Sequence, residues 1–532
     1  MGRIPGIPST ISVSENGQPG LGDWVILFLV MLLDAITCSR ARHTRDARFD
    51  GRFFVGVITT GVYCRPICPV RGPKEQNVRY FATAAAAAEA GLRPCLRCRP
   101  EASPGTPAWL GTSGTVSRAL RLISESTLED GGLDTLAARL GVGSRHLRRL
   151  FVQHLGASPV TVVQTRRLHF AKRLLNESRL PMYQIAQASG FGSVRRFNAC
   201  FQKTYGRSPS QLRKLGARSS TLPPDEYRFS LRFRPPYCWQ SLLDFLAPRA
   251  TPGVELVADG AYWRSFSLDG EVGWMRAALD PSANAIDLRI HCLQPRRLFL
   301  IVERVRRMFD LAADPEQVTR QLKRDLLLAT RIVTKPGIRV PGAWDGFELA
   351  IRAILGQQVT VRGATTLAGR LVREFGTAMA GPSGLTHLFP SPAQLADADV
   401  SRIGLPHARA NTIRSLARAV TSGKLSFSGV VDVEEFLAHF RELPGIGDWT
   451  AQYVAMRALG EPDAFPASDL GLLRAAGLRN VREMVDRAEA WRPWRAYAAM
   501  YLWQVAGKKG VTQDVHILHQ NRKPAGTAAA GL

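Results

Sequence analysis

The chain has 532 residues, which is too long for one ordinary hydrophobic core and predicts three or more domains of roughly 100 to 200 residues each. Lys and Arg outnumber Asp and Glu by 70 to 44, and the resulting net charge of +26 favours a polyanionic partner such as nucleic acid or an acidic membrane surface. Only eight cysteines, most of them isolated, argue against a secreted disulfide scaffold and favour a cytoplasmic location.

Near the start, residues 24–33 (WVILFLVMLL) form the one apolar run that suggests a membrane. The run is about ten residues long, whereas a membrane-spanning helix needs roughly 20. Its flanks supply neither the basic region nor the small-residue cleavage site of a convincing signal peptide. We therefore expect no membrane partner and assign residues 1–40 to a disordered N-terminal extension.

Half of the cysteines lie within about forty residues. They form two close pairs, C-x3-C and C-x2-C, separated by enough chain to fold back on itself. Structural zinc sites use such spacings because four thiolates must surround one ion. Zinc is therefore the expected cofactor, with a redox pair or buried free thiols as the alternatives. The predicted ligands are Cys64, Cys68, Cys95 and Cys98.

The residues around these cysteines, RDARFDGRFFVGVITTGVYCRPICPV and NVRYFATAAAAAEAGLRPCLRCRP, closely resemble the N-terminal methyl-acceptor domain of the Ada family of alkylation-repair regulators. The resemblance implies that Cys64, the first ligand, accepts a methyl group from a methylated DNA phosphate. Because the transfer is irreversible, the domain would be a stoichiometric sensor. Losing one negative charge at Cys64 would then change the affinity for DNA. We place this domain at residues 41–103.

Beyond a linker rich in small residues and proline, the chain becomes helical and strongly basic from 115 to 216. Two segments, LDTLAARLGVGSRHLRRLFVQHLGASP and YQIAQASGFGSVRRFNACFQKTYGRSP, each predict a helix, a glycine turn, a Ser in an N-cap position and a second helix bearing arginines. An ordinary packed helix pair is the alternative for either segment alone. The duplication and the charge favour a DNA-binding double helix-turn-helix module.

This pair of segments resembles the AraC-type DNA-binding module, and the second segment is the more specific match. The resemblance implies that two recognition helices begin near Ser144 and Ser193 and enter successive major grooves. Promoter DNA is then one partner, and RNA polymerase is a candidate second partner. Phosphate and base contacts are not distinguishable from the sequence. The candidate DNA contacts are Arg145, Arg148, Arg149, Arg195 and Arg196.

From residue 225 the pattern changes to alternating strands and a short helix. YRFSLRFRPPYCW, AYWRSFSLDGEVGWMRAAL and NAIDLRIHC predict strands, whereas WQSLLDFLAPRA predicts a helix. These residues alone indicate no function. We interpret residues 225–305 as an α+β platform.

The last third is mostly helical and contains a hairpin, FRELPGIGDWTAQYVAMRALG. Gly445 and Gly447 predict a tight turn before a helix whose first N–H groups point outward, an arrangement that holds a DNA phosphate without reading sequence. A simple helix-capping turn is the alternative. Downstream, FPASDLGLLRA places Asp469 at the rim opposite the hairpin, where Asp469 is also a candidate helix N-cap.

Together with PGAWDGFELAIRAILGQQVTV and AEAWRPWRAYAAMYLWQVAG, these stretches resemble the helix-hairpin-helix DNA glycosylases, specifically the AlkA type of 3-methyladenine glycosylase. The resemblance implies that Asp469 is the essential carboxylate. It also implies a base pocket lined by Trp449, Tyr453 and Trp503, although ordinary core positions are the alternative for the two tryptophans. Gln358 stands where the best-known member inserts a leucine wedge into the duplex, which leaves the wedge of this chain open.

The chemistry of N-alkylated purines agrees with this resemblance. Such a base is cationic, so its glycosidic bond is weak, and electron-rich aromatic faces hold it once it has been extruded from the duplex. A carboxylate beside the sugar can stabilise the developing oxocarbenium ion. Lyase-type relatives carry a nucleophilic Lys where this chain has Trp449, which predicts a monofunctional glycosylase that does not cleave the strand.

We therefore predict a multidomain α+β protein with a small zinc domain, an all-α double helix-turn-helix module at 115–216, an α+β platform at 225–305, an all-α helix-hairpin-helix glycosylase domain at 306–510 and a C-terminal tail at 511–532. The predicted function is an adaptive-response alkylation-repair protein that regulates transcription and excises N-alkylated purines such as 3-methyladenine. The alternative is a transcriptional regulator whose glycosylase-like half only binds DNA.

Overall fold

A computed structural model describes residues 33–104, 114–125, 132–216, 223, 225–382, 384–429 and 432–506. These residues form four packed regions of the predicted classes. No helix among them combines the length and the apolar character needed to cross a bilayer. The predictions for residues 1–32 and for the tail at 511–532 concern segments outside the described set.

The first region is built around a small four-stranded sheet. Its elements are α1 (Ala35–Thr44), β1 (Phe54–Val57), β2 (Val62–Cys64), β3 (Val78–Phe81), α2 (Ala84–Glu89) and β4 (Arg93–Pro94). The strand order is β3-β1-β2-β4, and β2 and β4 pair in parallel.

Helix α1 begins inside the extension that we predicted to be disordered up to residue 40. The Asp34 side chain caps the helix by accepting a backbone N–H of the first turn. Cys38 and Ala41 are buried in a cluster with Phe53. The prediction of disorder was therefore wrong for residues 35–40, because these residues complete the packing of the first sheet.

The second region is all helical. Its elements are α3 (Gly114–Glu125), α4 (Gly132–Arg139), α5 (Ser144–Leu155), α6 (Pro159–Glu177), α7 (Met182–Ala188), α8 (Val194–Tyr205) and α9 (Pro209–Gly216). Helices α4 and α5 form one helix-turn-helix, α7 and α8 form the other, and the long helix α6 joins them. The second helix of each pair buries apolar side chains at a spacing of four residues: Leu147, Phe151 and Leu155 in α5, and Phe197, Phe201 and Tyr205 in α8.

The predicted serine caps differ between the two motifs. Ser193 caps α8, and its side chain accepts the backbone N–H of Arg196. In the first motif, Gly143 occupies the cap position, and Ser144 is the first helical residue. The Ser144 hydroxyl instead donates to Asp134 in α4. The prediction of an N-cap was therefore wrong for Ser144, because its hydroxyl is hydrogen-bonded to a carboxylate on the neighbouring helix.

The third region is a five-stranded antiparallel sheet with the order β5-β9-β8-β7-β6. Its elements are β5 (Glu226–Arg232), α10 (Trp239–Leu246), β6 (Glu255–Ala258), β7 (Ala261–Leu268), β8 (Glu271–Asp280) and β9 (Ala285–Cys292). The predicted strands and the predicted helix are all present. Helix α11 (Leu298–Met308) then runs across position 305, the predicted end of the platform.

The fourth region contains α12 (Pro315–Leu322), α13 (Leu326–Thr334), α14 (Gly346–Leu355), α15 (Val361–Phe375), α16 (Pro392–Ala396), α17 (His407–Thr421), α18 (Val433–Arg441), α19 (Asp448–Arg457), α20 (Leu470–Ala476), α21 (Val481–Ala488) and α22 (Arg495–Ala506). It is not entirely helical, because β10 (Thr377–Ala378) pairs with β11 (His387–Leu388). The two backbone N–H groups of Thr386 and His387 donate to Gly253 of the platform, which holds this segment extended.

Helix α6 connects the regions. On one side, the buried Tyr63 hydroxyl lies 2.8 Å from Nε2 of His169, and burial lowers the pKa of His169 to about 4, so its neutral ring can accept this hydrogen bond. On the other side, Phe170 stacks on Phe229 of the platform with ring centroids 6.1 Å apart. The helix therefore packs against both the first sheet and the platform.

Candidate metal centre, DNA-binding surfaces and aromatic pocket

The fold of the first sheet brings the four clustered cysteines together. Cys64 ends β2 and Cys68 follows in the next turn, whereas Cys95 and Cys98 follow the end of β4. Since β2 and β4 are neighbouring parallel strands, both cysteine pairs follow strands that end on the same side of the sheet. The Cys95 backbone N–H donates to the Tyr63 carbonyl at 2.9 Å, which fixes the second pair against the first.

The four sulfur atoms lie within 4.8 Å of one another. A zinc ion bound by four thiolates at about 2.3 Å requires sulfurs about 3.8 Å apart, so the arrangement fits tetrahedral zinc. Hydrogen bonding from the Cys64 thiol lowers the pKa of the Cys68 thiol to about 7. Hydrogen bonding among the four sulfurs also lowers the pKa of Cys95, but it raises the pKa of Cys64 and of Cys98 above their usual range. Bound zinc would therefore be what keeps all four cysteines as thiolates, the form that binds metal.

The four ligands differ in exposure. Cys95 and Cys98 are buried, whereas Cys64 and Cys68 are partly exposed. A buried ion pair between Arg65 and Asp50 supports the loop after Cys64, and the Arg65 backbone N–H donates to Sγ of Cys98 at 3.3 Å. The centre can therefore bind zinc while leaving Cys64 within reach of a large substrate.

The isolated cysteines have a different environment. Cys38 and Cys292 are buried, and burial raises the pKa of each thiol to about 12. Such thiols are protonated at neutral pH and are poor nucleophiles.

The five arginines predicted to contact DNA are all exposed on the second helices of the two motifs. Arg145, Arg148 and Arg149 lie on α5, and Arg195 and Arg196 lie in the first turn of α8. The opposite face of each helix is buried. The geometry therefore leaves these side chains free to approach a groove or a phosphate.

The hairpin of the fourth region has the predicted turn. Gly445 has φ +80°, and Gly447 is the N-cap of α19 without a side chain that could bond to the first N–H groups. The amide of Gln357 donates to the Gly445 carbonyl at 2.9 Å and ties the α14–α15 turn to the hairpin. Gln358, the next residue, is exposed at φ +58°, and its role as the wedge stays a prediction.

We expect Gly445→Ala to weaken binding to undamaged duplex and to lower stability by about 1–3 kcal/mol. A side chain at this φ is strained, and the added Cβ would collide with the Thr412 hydroxyl. Gly460→Ala is the matched control, since Gly460 has φ +65° with open space around the added atom. Fluorescence anisotropy with a duplex and denaturant unfolding measure the two effects. Equal duplex affinity of the two variants would contradict a role of the hairpin in DNA binding.

Asp469 lies between two tryptophans. Its Oδ1 accepts the indole N–H of Trp503 at 3.0 Å, and its Oδ2 accepts that of Trp449 at 2.9 Å. Oδ1 also accepts the backbone N–H of Leu472, so Asp469 is the N-cap of α20 as well. Three donors thus hold the carboxylate in one orientation while it remains partly exposed.

The predicted aromatic residues form one cluster. Trp449 and Tyr453 are stacked with centroids 5.1 Å apart and an angle of 8°, and Tyr453 meets Trp503 edge to face at 6.3 Å. All three residues are partly buried, and Trp503 also packs against the main apolar core, so the core alternative for the tryptophans stays open. The carboxylate and three aromatic rings therefore line one partly open site.

Sequence reasoning missed three further residues of this site. Phe245 of the platform stacks on Trp503 at 6.2 Å, Arg249 lies 4.0 Å over the Phe245 ring, and the buried Arg457 lies 5.1 Å over it. Arg457 follows Tyr453 by one helical turn, a spacing that could have identified it. No local signal connects Phe245 or Arg249 to a pocket that begins about 200 residues later in the chain.

Four family models match successive parts of the chain: the metal binding domain of Ada at 37–101, a helix-turn-helix domain at 136–215, the AlkA N-terminal domain at 228–345 and the HhH-GPD superfamily of base excision DNA repair proteins at 351–489. The order of these matches follows the order of the four packed regions.

Three curated relatives match different extents of the chain. A probable bifunctional transcriptional activator/DNA repair enzyme AlkA from Mycobacterium tuberculosis is 41% identical over 474 residues, which cover 88% of this chain and 95% of the relative. DNA-3-methyladenine glycosylase 2 of Escherichia coli is 34% identical over 52% of this chain and 98% of that protein. The bifunctional activator/repair enzyme Ada of E. coli is 32% identical over 32% of this chain and 47% of its own length.

Proposed function

The chain belongs to the family of bifunctional transcriptional activators and DNA repair enzymes, and on this premise we propose that it combines a zinc methyl acceptor, a DNA-binding regulator and a DNA glycosylase. The glycosylase releases N-alkylated purines such as 3-methyladenine from duplex DNA. The methyl acceptor removes methyl groups from DNA phosphotriesters and changes the affinity of the regulator for its promoter.

The main support for the proposed glycosylase activity is the position of Asp469. Its carboxylate is held between the indole N–H groups of Trp449 and Trp503. An extruded cationic base is held against the electron-rich rings. When the bond between C1′ and the base nitrogen breaks, its electron pair leaves with the base and neutralises it. The sugar becomes an oxocarbenium ion, which the Asp469 carboxylate stabilises until water adds to C1′.

The glycosylase is monofunctional in this proposal. A lyase needs an amine that attacks C1′ and forms a Schiff base. Position 449, which follows the hairpin directly in α19, carries a tryptophan whose N–H is bound to Asp469. Water is then the nucleophile, and an intact abasic strand is the product.

In the methyl-acceptor half, Cys64, Cys68, Cys95 and Cys98 hold zinc, which keeps the thiolates deprotonated at neutral pH. The Cys64 sulfur attacks the methyl carbon of a phosphotriester, which has lost the negative charge that would repel a thiolate. An S–C bond forms, the C–O bond breaks, and its electron pair stays on the phosphate oxygen. Cys64 becomes a thioether, and the surface near the DNA loses one negative charge.

We expect methylation of Cys64 to tighten specific promoter binding about tenfold or more, because removing a negative charge near DNA phosphates is worth a few kcal/mol at partial burial. Footprinting at matched salt, before and after incubation with methylated DNA, measures the change. Peptide mass analysis should find the methyl group on Cys64 and none on Cys38, whose thiol is buried and protonated. Equal protection before and after methylation would contradict the switch.

As a transcriptional activator, the methylated protein would engage RNA polymerase at the promoter. The competing function is a regulator whose glycosylase-like half only docks on DNA. Release of free base from an alkylated duplex separates the two, because a docking module releases none.

A further inference from the structure

A buried positive charge that the proposed excision mechanism does not yet use lies beside the aromatic cluster. Arg457 is 4% exposed and donates to the Tyr453 hydroxyl at 2.6 Å. Its Nε donates to the Pro341 carbonyl at 2.8 Å, which anchors the guanidinium to the segment between α13 and α14. The charge is therefore fixed beside the aromatic cluster.

Arg457 and Asp469 are connected through the aromatic stack. Arg457 binds the phenol oxygen of Tyr453, the Tyr453 ring stacks on Trp449, and the Trp449 N–H binds Asp469. The two charges form no ion pair within the described part of the chain. Arg457 and Asp469 thus lie at the two ends of one chain of contacts. In the proposed excision complex the base stacks on the aromatic rings and the sugar faces Asp469, which puts Arg457 on the side of the base.

Tyr453 lies close to this positive charge and to that of Arg249. Burial opposes ionisation of its phenol, but the charges of Arg457 and Arg249 outweigh burial and lower the pKa of Tyr453.

Breaking the glycosidic bond moves positive charge from the base to the sugar. A fixed cation behind the base repels a bound cationic lesion and raises its energy. This repulsion disappears as the base becomes neutral and leaves. The same cation stabilises the negative charge that develops on a departing neutral base. We infer that Arg457 is an electrostatic positioning residue, which acts together with Asp469 to favour the movement of positive charge from the base to the sugar. The same charge lowers the affinity for cationic lesions. This inference rests on the proposed excision activity.

The test compares the wild type with Arg457→Met, which removes the charge, and Arg457→Lys, which keeps it. Single-turnover release of 7-methylguanine, a cationic lesion, is measured against protein concentration. For Arg457→Met we expect the maximal rate to fall about fivefold and the half-saturating concentration to fall as well, because the bound cation is no longer repelled. Arg457→Lys is expected to keep both values within about twofold of the wild type.

A neutral lesion provides the second comparison. The affinities of Arg457→Met and Arg457→Lys for a duplex carrying hypoxanthine, which has no charge, are expected to be equal. If Arg457 has only a structural role, both variants lose activity alike, or Arg457→Met has a higher half-saturating concentration than the wild type. Either result overturns the inference. An Arg457→Met variant that behaves like the wild type also overturns it. If the wild type releases no 7-methylguanine, the proposed excision activity itself fails instead.

Discussion

Asp469→Asn is expected to lower the rate of 3-methyladenine release by about 10²-fold or more while leaving duplex binding intact. The asparagine oxygen can still accept the Leu472 N–H that the carboxylate caps. Its amide, however, carries no charge to stabilise the sugar cation, and its NH₂ group would face an indole N–H that now has no acceptor. Duplex binding relies instead on the hairpin N–H groups and on arginine side chains.

The matched control is Asp397→Asn. Asp397 is 85% exposed at its side chain and pairs with Arg418 on the surface, so this variant removes the same charge without touching the pocket. Free base and abasic sites are scored together, and strand breaks are measured before alkali treatment. Undiminished base release by Asp469→Asn would refute the role of the carboxylate. Breaks without alkali would contradict the monofunctional mechanism.

The largest effect on folding is expected from the double change Cys95→Ala, Cys98→Ala. We expect the purified variant to lose its zinc and the first sheet to lose its cooperative unfolding transition, because structural zinc sites contribute about 10–16 kcal/mol of binding free energy to folding. Metal analysis of the purified protein and thermal melting measure the two effects. Cys200→Ala and Cys238→Ala are the controls, since both thiols are isolated from the cluster and only partly buried.

The wild type is expected to contain one zinc ion per chain, and the two controls should retain it. A wild-type protein without zinc, or a double variant with an unchanged zinc content, would contradict the assignment of the four cysteines.

The sequence was most informative where chemistry depends on local spacing. The two cysteine pairs predicted a metal centre because the ligands of each pair lie on one turn, and the structure had only to bring two strand ends together. The same holds for Gly445 and Gly447, whose turn is set by backbone conformations that glycine adopts freely. Alternation of apolar residues predicted the strands of the platform for a similar local reason.

The sequence was least informative where two distant segments share one site. Phe245 belongs to a helix of the platform, and its contact with Trp503 depends on how two regions pack. Asp469 could be predicted as a cap from its neighbours, but its two indole donors come from different helices, α19 and α22. The predicted cap role of Ser144 was wrong because its hydroxyl donates to Asp134, a contact between two helices that local sequence does not show.

Incubation of the wild-type protein with methylated duplex DNA allows base excision and methyl transfer to be measured in one sample. We expect free 3-methyladenine to accumulate over many turnovers and, in the same sample, one methyl group to appear on Cys64 of each chain. A methyl group on Cys64 without any release of base would contradict the proposed glycosylase activity and leave only a regulator. Release of base without methylation of Cys64 would contradict the methyl-acceptor half.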